Sequence, residues 1–378
     1  MEGQAQILIK VGNGRIYAAS GMRLGIYGIE IRMGTDHLEE PIICAEGDNS
    51  LIELETVSIT DIINPPTNGS TYLSGSNSQL YASHCIFEDI DYQIQGGQVL
   101  RVERQYYASY SPLTVIIKEC KFKNIKTCGD YNNIKGSAIN ANLGDEFLLK
   151  VIGPTEFTQL QNVDGDGGAI YMEIYRSSQF ITEGEVIFDQ CKGRNGGSIF
   201  VKISADSQIE LGDGCQFKQC QAEQGNGGAI YTEMNFYTQL SFVIKDVLFK
   251  GCSALTNNSL SYSYSGFGGG IFLGCYGNYD TSSNGLNFHD MKITGNTADK
   301  YGQSMYVTFL WVIEWCQYGI LGEFVKGNYS DTDSEENDLE GIPVDFYEFR
   351  YAQLEVVEGR QKHLEYYWTN RDKDIWHI

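Results

Sequence analysis

Gly227-Gly228-Ala229-Ile230-Tyr231 recurs along the chain, and that recurrence limits the fold more than any other feature. The same shape reads Gly136-Ser137-Ala138-Ile139-Asn140, Gly167-Gly168-Ala169-Ile170-Tyr171, Gly196-Gly197-Ser198-Ile199-Phe200 and Gly268-Gly269-Gly270-Ile271-Phe272. Weaker copies begin at Gly96 and Gly302. Successive first glycines lie 40, 31, 29, 31, 41 and 34 residues apart. A short motif at a period of roughly 30 residues marks a repeat architecture.

A second motif keeps step with the first. A Phe is followed three residues later by Cys or an aliphatic: Phe87/Ile90, Phe122/Ile125, Phe157/Leu160, Phe188/Cys191, Phe217/Cys220 and Phe249/Cys252, with a degenerate copy at Ile293/Asn296. Short apolar runs such as Leu240-Ser241-Phe242-Val243-Ile244 and Val247-Leu248-Phe249 read as strands bounded by Gly, Asn and Ser. Three strands of 4–6 residues in roughly 30 cannot bury a core alone, but stacked coils can. The pattern predicts an all-β, right-handed parallel β-helix of roughly 8–9 coils, a pectin-lyase-like solenoid. Its glycine pairs should share one corner and its Phe ladder should lie inside.

Over roughly residues 80–310 the chain resembles the chlamydial polymorphic outer-membrane protein repeats, marked by Gly-Gly-Ala-Ile paired with Phe-x-x-Asn. It departs by replacing most of the Asn with Cys or an aliphatic. The C-terminal run Gly322 to Ser330, with Leu339-Glu340-Gly341-Ile342-Pro343, is similar to the ending of uncharacterised β-helix proteins of flagellate protists. The first resemblance implies β-helical passenger domains of surface proteins with adhesive roles, and hence a cell-surface or extracellular location. Against this, Met1 to Gln6 has neither a basic nor an apolar leader segment, so no signal peptide is predicted.

The chain divides into divergent N-terminal coils or a cap (1–80), clear repeats (81–310) and a C-terminal part (311–378). Ile52 to Ile59 reads as one strand. Val312, Ile313, Trp315, Cys316, Ile320, Leu321 and Phe324 fall near helical spacing and predict a short helix capping the open end. Ser330 to Glu340 reads as an acidic loop. The tail that follows, with Tyr347, Phe349, Tyr351, Tyr366, Tyr367 and Trp368, reads as irregular but packed back on the body.

A net charge of −22 argues against nucleic acid as a partner, because binding it takes a basic patch. Tyr306 to Phe324 is the most apolar stretch, yet it contains Glu314 and Glu323, so no transmembrane segment is expected. Six of the ten cysteines sit in the Phe motif: Cys85, Cys120 and Cys215 two residues before it, and Cys191, Cys220 and Cys252 three after. That register predicts small buried thiols, with disulfides between stacked coils as the alternative. No Cys-x-x-Cys pair suggests a zinc site, and no cofactor motif occurs.

Pectin-cleaving enzymes share this fold class, so a carbohydrate-active enzyme is the alternative to a non-enzymatic interaction scaffold. A third reading is an architectural module of a larger protein. Asn162-Val163-Asp164-Gly165-Asp166 superficially matches part of a hydrolase motif, but no histidine lies between glycines. Asp164 and Asp166 read instead as turn formers. A lyase would need a calcium cluster beside Arg176 or Arg194, and local sequence aligns none. Asp331-Thr332-Asp333-Ser334-Glu335 lacks the glycine and the closing glutamate of a calcium loop. The expected interaction ridge is the corner after the glycine strand, with Tyr106, Tyr107, Tyr110, Tyr175, Tyr237, Tyr276 and Tyr279, facing a glycan or protein surface.

Overall fold

The computed structural model describes residues 5–9, 16–33, 41–63, 69–92, 98–103, 112–128, 135–257, 264–320, 322–325 and 335–369. Three parallel sheets, here I, II and III, run the length of a β-solenoid, and each coil adds one strand to each in turn. Sheet III holds nine strands, one per complete coil. Two successive coils show the register: Phe188 pairs with Phe217 in sheet I, Ile199 with Ile230 in sheet II, and Ile209 with Phe242 in sheet III.

The glycine pairs do share one corner, between sheets I and II, and each glycine has its own reason. Gly227 has φ +69°, in the left-handed region open to glycine. Gly228 has no room for a side chain, since a Cβ there would stand 1.9 Å from the carbonyl oxygen of Gly269 on the next coil. The corner is closed by backbone bonds between coils, Gly228 N to Gly268 O at 3.0 Å among them.

The Phe motif is inside, and its three-residue spacing has a cause that alternation alone does not supply. On a flat strand, residues i and i+3 face opposite sides. Here the residue before the Ile or Cys takes a left-handed conformation: Asp89, Asn124, Gln159, Gln190 and Gln219 have φ of 49–57°, and Gly251 takes the place in the next coil. The bend brings both anchors into the core. Phe87, Phe122, Phe157, Phe188, Phe217 and Phe249 then stack face to face at 4.7–4.9 Å, the spacing of the coils themselves. Outside the bend, Gln159, Gln190 and Gln219 join amides at 3.3 Å.

All ten cysteines are free thiols, and all but the half-buried Cys128 are buried. The thiols of Cys191, Cys220 and Cys252 donate to the carbonyls of Phe157, Phe188 and Phe217, one coil back, at 3.3–3.6 Å. Asn296 stands at the same place and its amide donates to the Phe249 carbonyl at 3.1 Å. Cysteine thus keeps the donor of the Asn it replaces while filling an apolar site. Burial pushes the Cys215 thiol up to about 12.

The described strands of the N-terminal 80 residues enter all three sheets in register with the rest, as coils of the same solenoid. The expected single strand Ile52 to Ile59 is two, Leu51–Glu55 in sheet III and Ser58–Ile63 in sheet I. The chain turns between them at Thr56, with φ +56°. A β-branched residue in that conformation is a rare turn former, which is why the corner is silent in sequence.

The C-terminal part departs further from expectation. Helix α1 (Val312–Gln317) closes the end but is shorter than expected, since Ile320 lies beyond it and is exposed; it buries Trp315, whose indole N–H donates to the Leu286 carbonyl at 3.2 Å. The expected acidic loop is instead, at its described end, a 3-10 turn (Glu336–Asp338) and the strand Leu339–Ile342, which pairs parallel with Met305–Thr308 in sheet II. Nor is the tail irregular. It forms α2 (Phe346–Tyr351), α3 (Leu354–Arg360), the short strand Lys362–His363 and α4 (Leu364–Thr369). Lys362–His363 runs antiparallel to Leu339–Ile342, the one reversal among the described pairings. In the tail, Phe349, Tyr367 and Trp368 are buried, while Tyr347 and Tyr351 are exposed. No helix among the described residues is long and apolar enough to cross a membrane.

Candidate interaction surfaces

The aromatic residue that follows each Gly-Gly-x-Ile points away from the core, on the outer face of sheet II. Tyr171, Phe200, Tyr231 and Phe272 stack at 4.9–5.1 Å, and Tyr306 continues the row at 6.2 Å. All five are nonetheless buried, and α2 packs on three of them: Phe346 meets Tyr231 and Phe272, and Phe349 meets Phe272 and Tyr306. Asp345 caps α2, accepting from Tyr347 N at 2.8 Å, and its other oxygen accepts from Gly277 N at 3.3 Å. The same carboxylate therefore starts the helix and ties it to the solenoid.

Beside α2, this outer face opens into a cleft of about 460 Å³. Asp166 lies at one side, in a two-pronged ion pair with Arg194 (Nε to Oδ1 2.9 Å) and accepting from Asn195 Nδ2 at 2.9 Å. The opposite side carries Lys202, Glu233 and Arg350. Glu233 accepts from the Tyr231 hydroxyl at 3.3 Å. Burial holds its carboxyl above the usual glutamate range, opposed by Lys202 and Arg350. The rings in this wall spend their faces on one another, so the cleft is offered their edges. Lys202 and Glu233 escaped the sequence reading, although each stands two residues past the repeated aromatic, the alternation that puts both on one face.

Arg176 and Arg194 each pair with a single carboxylate, Asp145 at 2.8 Å and Asp166, and no group of three or more acidic residues that could hold a metal ion stands beside either among the described residues. Each partner lies one coil earlier, about 30 residues back, beyond reach of a local motif. Asp164 is a turn residue with φ +62°, as read from sequence.

The corner between sheets II and III is where the tyrosine ridge was expected. Tyr106, Tyr107 and Tyr110 lie outside the described residues. Tyr237 is 75% exposed. Tyr175 is half-buried, its ring lying over Gly144 of the preceding coil. Tyr276 is half-covered by Phe346, ring centroids 5.2 Å apart. Tyr279 is no ridge residue: it is 6% exposed, packs on Phe236 and Phe309 in the core, and accepts from Leu286 N at 3.0 Å. At this corner, where the chain drops from Tyr276 into a 3-10 turn (Thr281–Ser283), the ring fills the gap left under the longer connection.

Around Tyr237 the same corner forms a groove of about 630 Å³, with Phe236 and Tyr279 in its lining. Its polar lining includes Asp206, Gln208, Gln239, Asn278 and Asp280, and none of the described lining residues is Lys, Arg or His. Asp280 accepts from the Ser282 hydroxyl at 2.6 Å and backbone at 2.9 Å, which holds its carboxyl below the usual aspartate range. No family model, no curated protein and no solved structure matches the chain.

Proposed function

We propose that the protein is a non-enzymatic interaction scaffold and that the groove at the corner between sheets II and III binds a neutral glycan. One observation carries this: an exposed aromatic ring, Tyr237, stands over a groove lined by carboxylates and amides but no cation. A ring face packs against the apolar face of a sugar, and Asp, Asn and Gln side chains hydrogen-bond its hydroxyls. Carboxylates without cations disfavour an acidic sugar. The likeness to adhesive surface repeats supports the same reading. So does the state of Asp166, the nearest match to a hydrolase carboxylate, which spends its oxygens on Arg194 and Asn195.

The test is a panel of neutral, amino and acidic oligosaccharides titrated calorimetrically against the whole chain, wild type and Tyr237→Ala. Neutral sugars should bind, and loss of the Tyr237 ring should weaken them about tenfold or more with the melting point unchanged. Binding that survives Tyr237→Ala, or that prefers acidic sugars, defeats this assignment. Release of reducing ends or unsaturated products during the titration would defeat the non-enzymatic reading.

A further inference from the structure

The cleft beside α2 is chemically unlike the corner groove. The Asp166–Arg194 pair is self-neutralising, which leaves Glu233 facing two cations, Lys202 and Arg350. Lys202 Nζ stands 3.9 Å from both Glu173 and Glu233, too far for a hydrogen bond to either. Glu173 is already engaged by the Tyr171 hydroxyl and by Lys135 at 3.6 Å. Arg350 projects from α2 across the Phe346 ring, 5.6 Å from its centroid. On a chain of net charge −22, two cations around one carboxylate make a local inversion of sign. Tyr264, half-buried, and Tyr351, exposed, add an apolar wall.

We propose that this cleft binds a small organic carboxylate, its anionic group held by Lys202 and Arg350 and its apolar body against Tyr264 and Tyr351. Arginine offers a carboxylate a planar fork of donors, and lysine a point charge that loses only two long ion pairs by turning to it. Glu233 opposes the ligand while it is ionised and ceases to do so when protonated. The other groups facing it are Asp166 from the glycine corner, already paired with Arg194; Lys202 from the neighbouring strand; Tyr231 on its own strand; Tyr276 from the strand beyond; and Arg350 from α2. With the tyrosines neutral and the cations charged, protonation of Glu233 raises affinity as pH falls, down to the point where the ligand itself is protonated.

The experiment uses the whole chain with phenylacetate, its uncharged isostere phenylacetamide, and lactate, a carboxylate without an apolar body. Phenylacetate should bind, with phenylacetamide about tenfold weaker and lactate weaker than phenylacetate. Lys202→Gln and Arg350→Gln should each weaken phenylacetate about tenfold. Should Arg350→Gln loosen α2, Lys202→Gln still reads the site from the solenoid side. Glu233→Gln should strengthen binding several-fold and abolish the rise in affinity as pH falls from neutrality toward the usual glutamate range. A Glu233→Gln variant that binds more weakly, phenylacetamide binding as well as phenylacetate, or no binding of any probe overturns the proposal. Lactate binding as tightly as phenylacetate overturns the assignment of the apolar wall. Tyr237→Ala, in the corner groove, should leave all of this unchanged, so the two sites stand or fall separately.

Discussion

Two aromatic ladders run side by side through this molecule, one on each face of the coil wall. The inner row, Phe87 to Phe249, and the outer row as far as Phe272 stack with nearly the same spacing and nearly parallel rings, and Tyr306 follows at 6.2 Å. What differs is what hides them. The inner row is enclosed by the solenoid that carries it, so the repeat alone ensures its burial. In the outer row Tyr231, Phe272 and Tyr306 are covered by α2, which comes from beyond the repeats. A repetitive sequence can thus present a hydrophobic surface whose cover it does not encode in the repeat.

The largest effect should come from the inner row. Phe217→Ala should lower the stability of the whole solenoid by about 3–5 kcal/mol in denaturant unfolding, as a core truncation with little room to collapse. A loss below about 1 kcal/mol would mean that the inner row is not structurally enclosed. On the outer row the loss should be smaller and local. Phe346→Ala should cost about 2–3 kcal/mol in docking of α2, read as faster amide exchange over residues 345–360 with the sheet II strands still protected. Equal loss of protection in both regions would erase the distinction between the ladders.

The smallest effect concerns Glu340, buried at the foot of the outer row. It accepts from Gly302 N at 2.6 Å and faces His363 at 3.4 Å. Burial raises its carboxyl above the ordinary value of 4.5, so the folded state favours the protonated form. The sign follows: this contribution is whole below the unfolded value and is lost as pH rises through the folded one. Glu340→Gln keeps an acceptor for Gly302 and removes the buried charge. It should raise the melting point at pH 7 by a few degrees, and the gain should vanish below about pH 4. A lower melting point at pH 7 would show that the pairing with His363 outweighs the cost of burial.

What could be read from sequence were the features whose cause is local and repeated. The glycine pair and the Phe anchors follow from one coil's own sterics, so both corner and core were legible. The bends at Thr56 and Gln190 were not, because nothing in those side chains calls for a left-handed backbone. The partnership of Arg194 with Asp166 was hidden by a whole coil of intervening chain. The cover over the outer row did leave a signal: Asp345 before Phe346 and Phe349, a cap followed by helical spacing. Read beside the unexplained Tyr or Phe after every Gly-Gly-x-Ile, it would have turned the tail into a lid. The burial of Tyr279 depends on how far one connection sags inward, and no residue type announces that.

The strand Lys362–His363 has a consequence for how this molecule meets its own kind. A stack of parallel strands presents at its end a template onto which any similar strand can add, and that is how sheet proteins grow into fibrils. Here the last strand of sheet II runs backwards, and α4 follows it at once. An incoming parallel coil would find the donors and acceptors of that edge in the wrong phase. Two residues of reversed chain therefore act as a stop signal, terminating at that edge a pattern that would otherwise invite its own continuation.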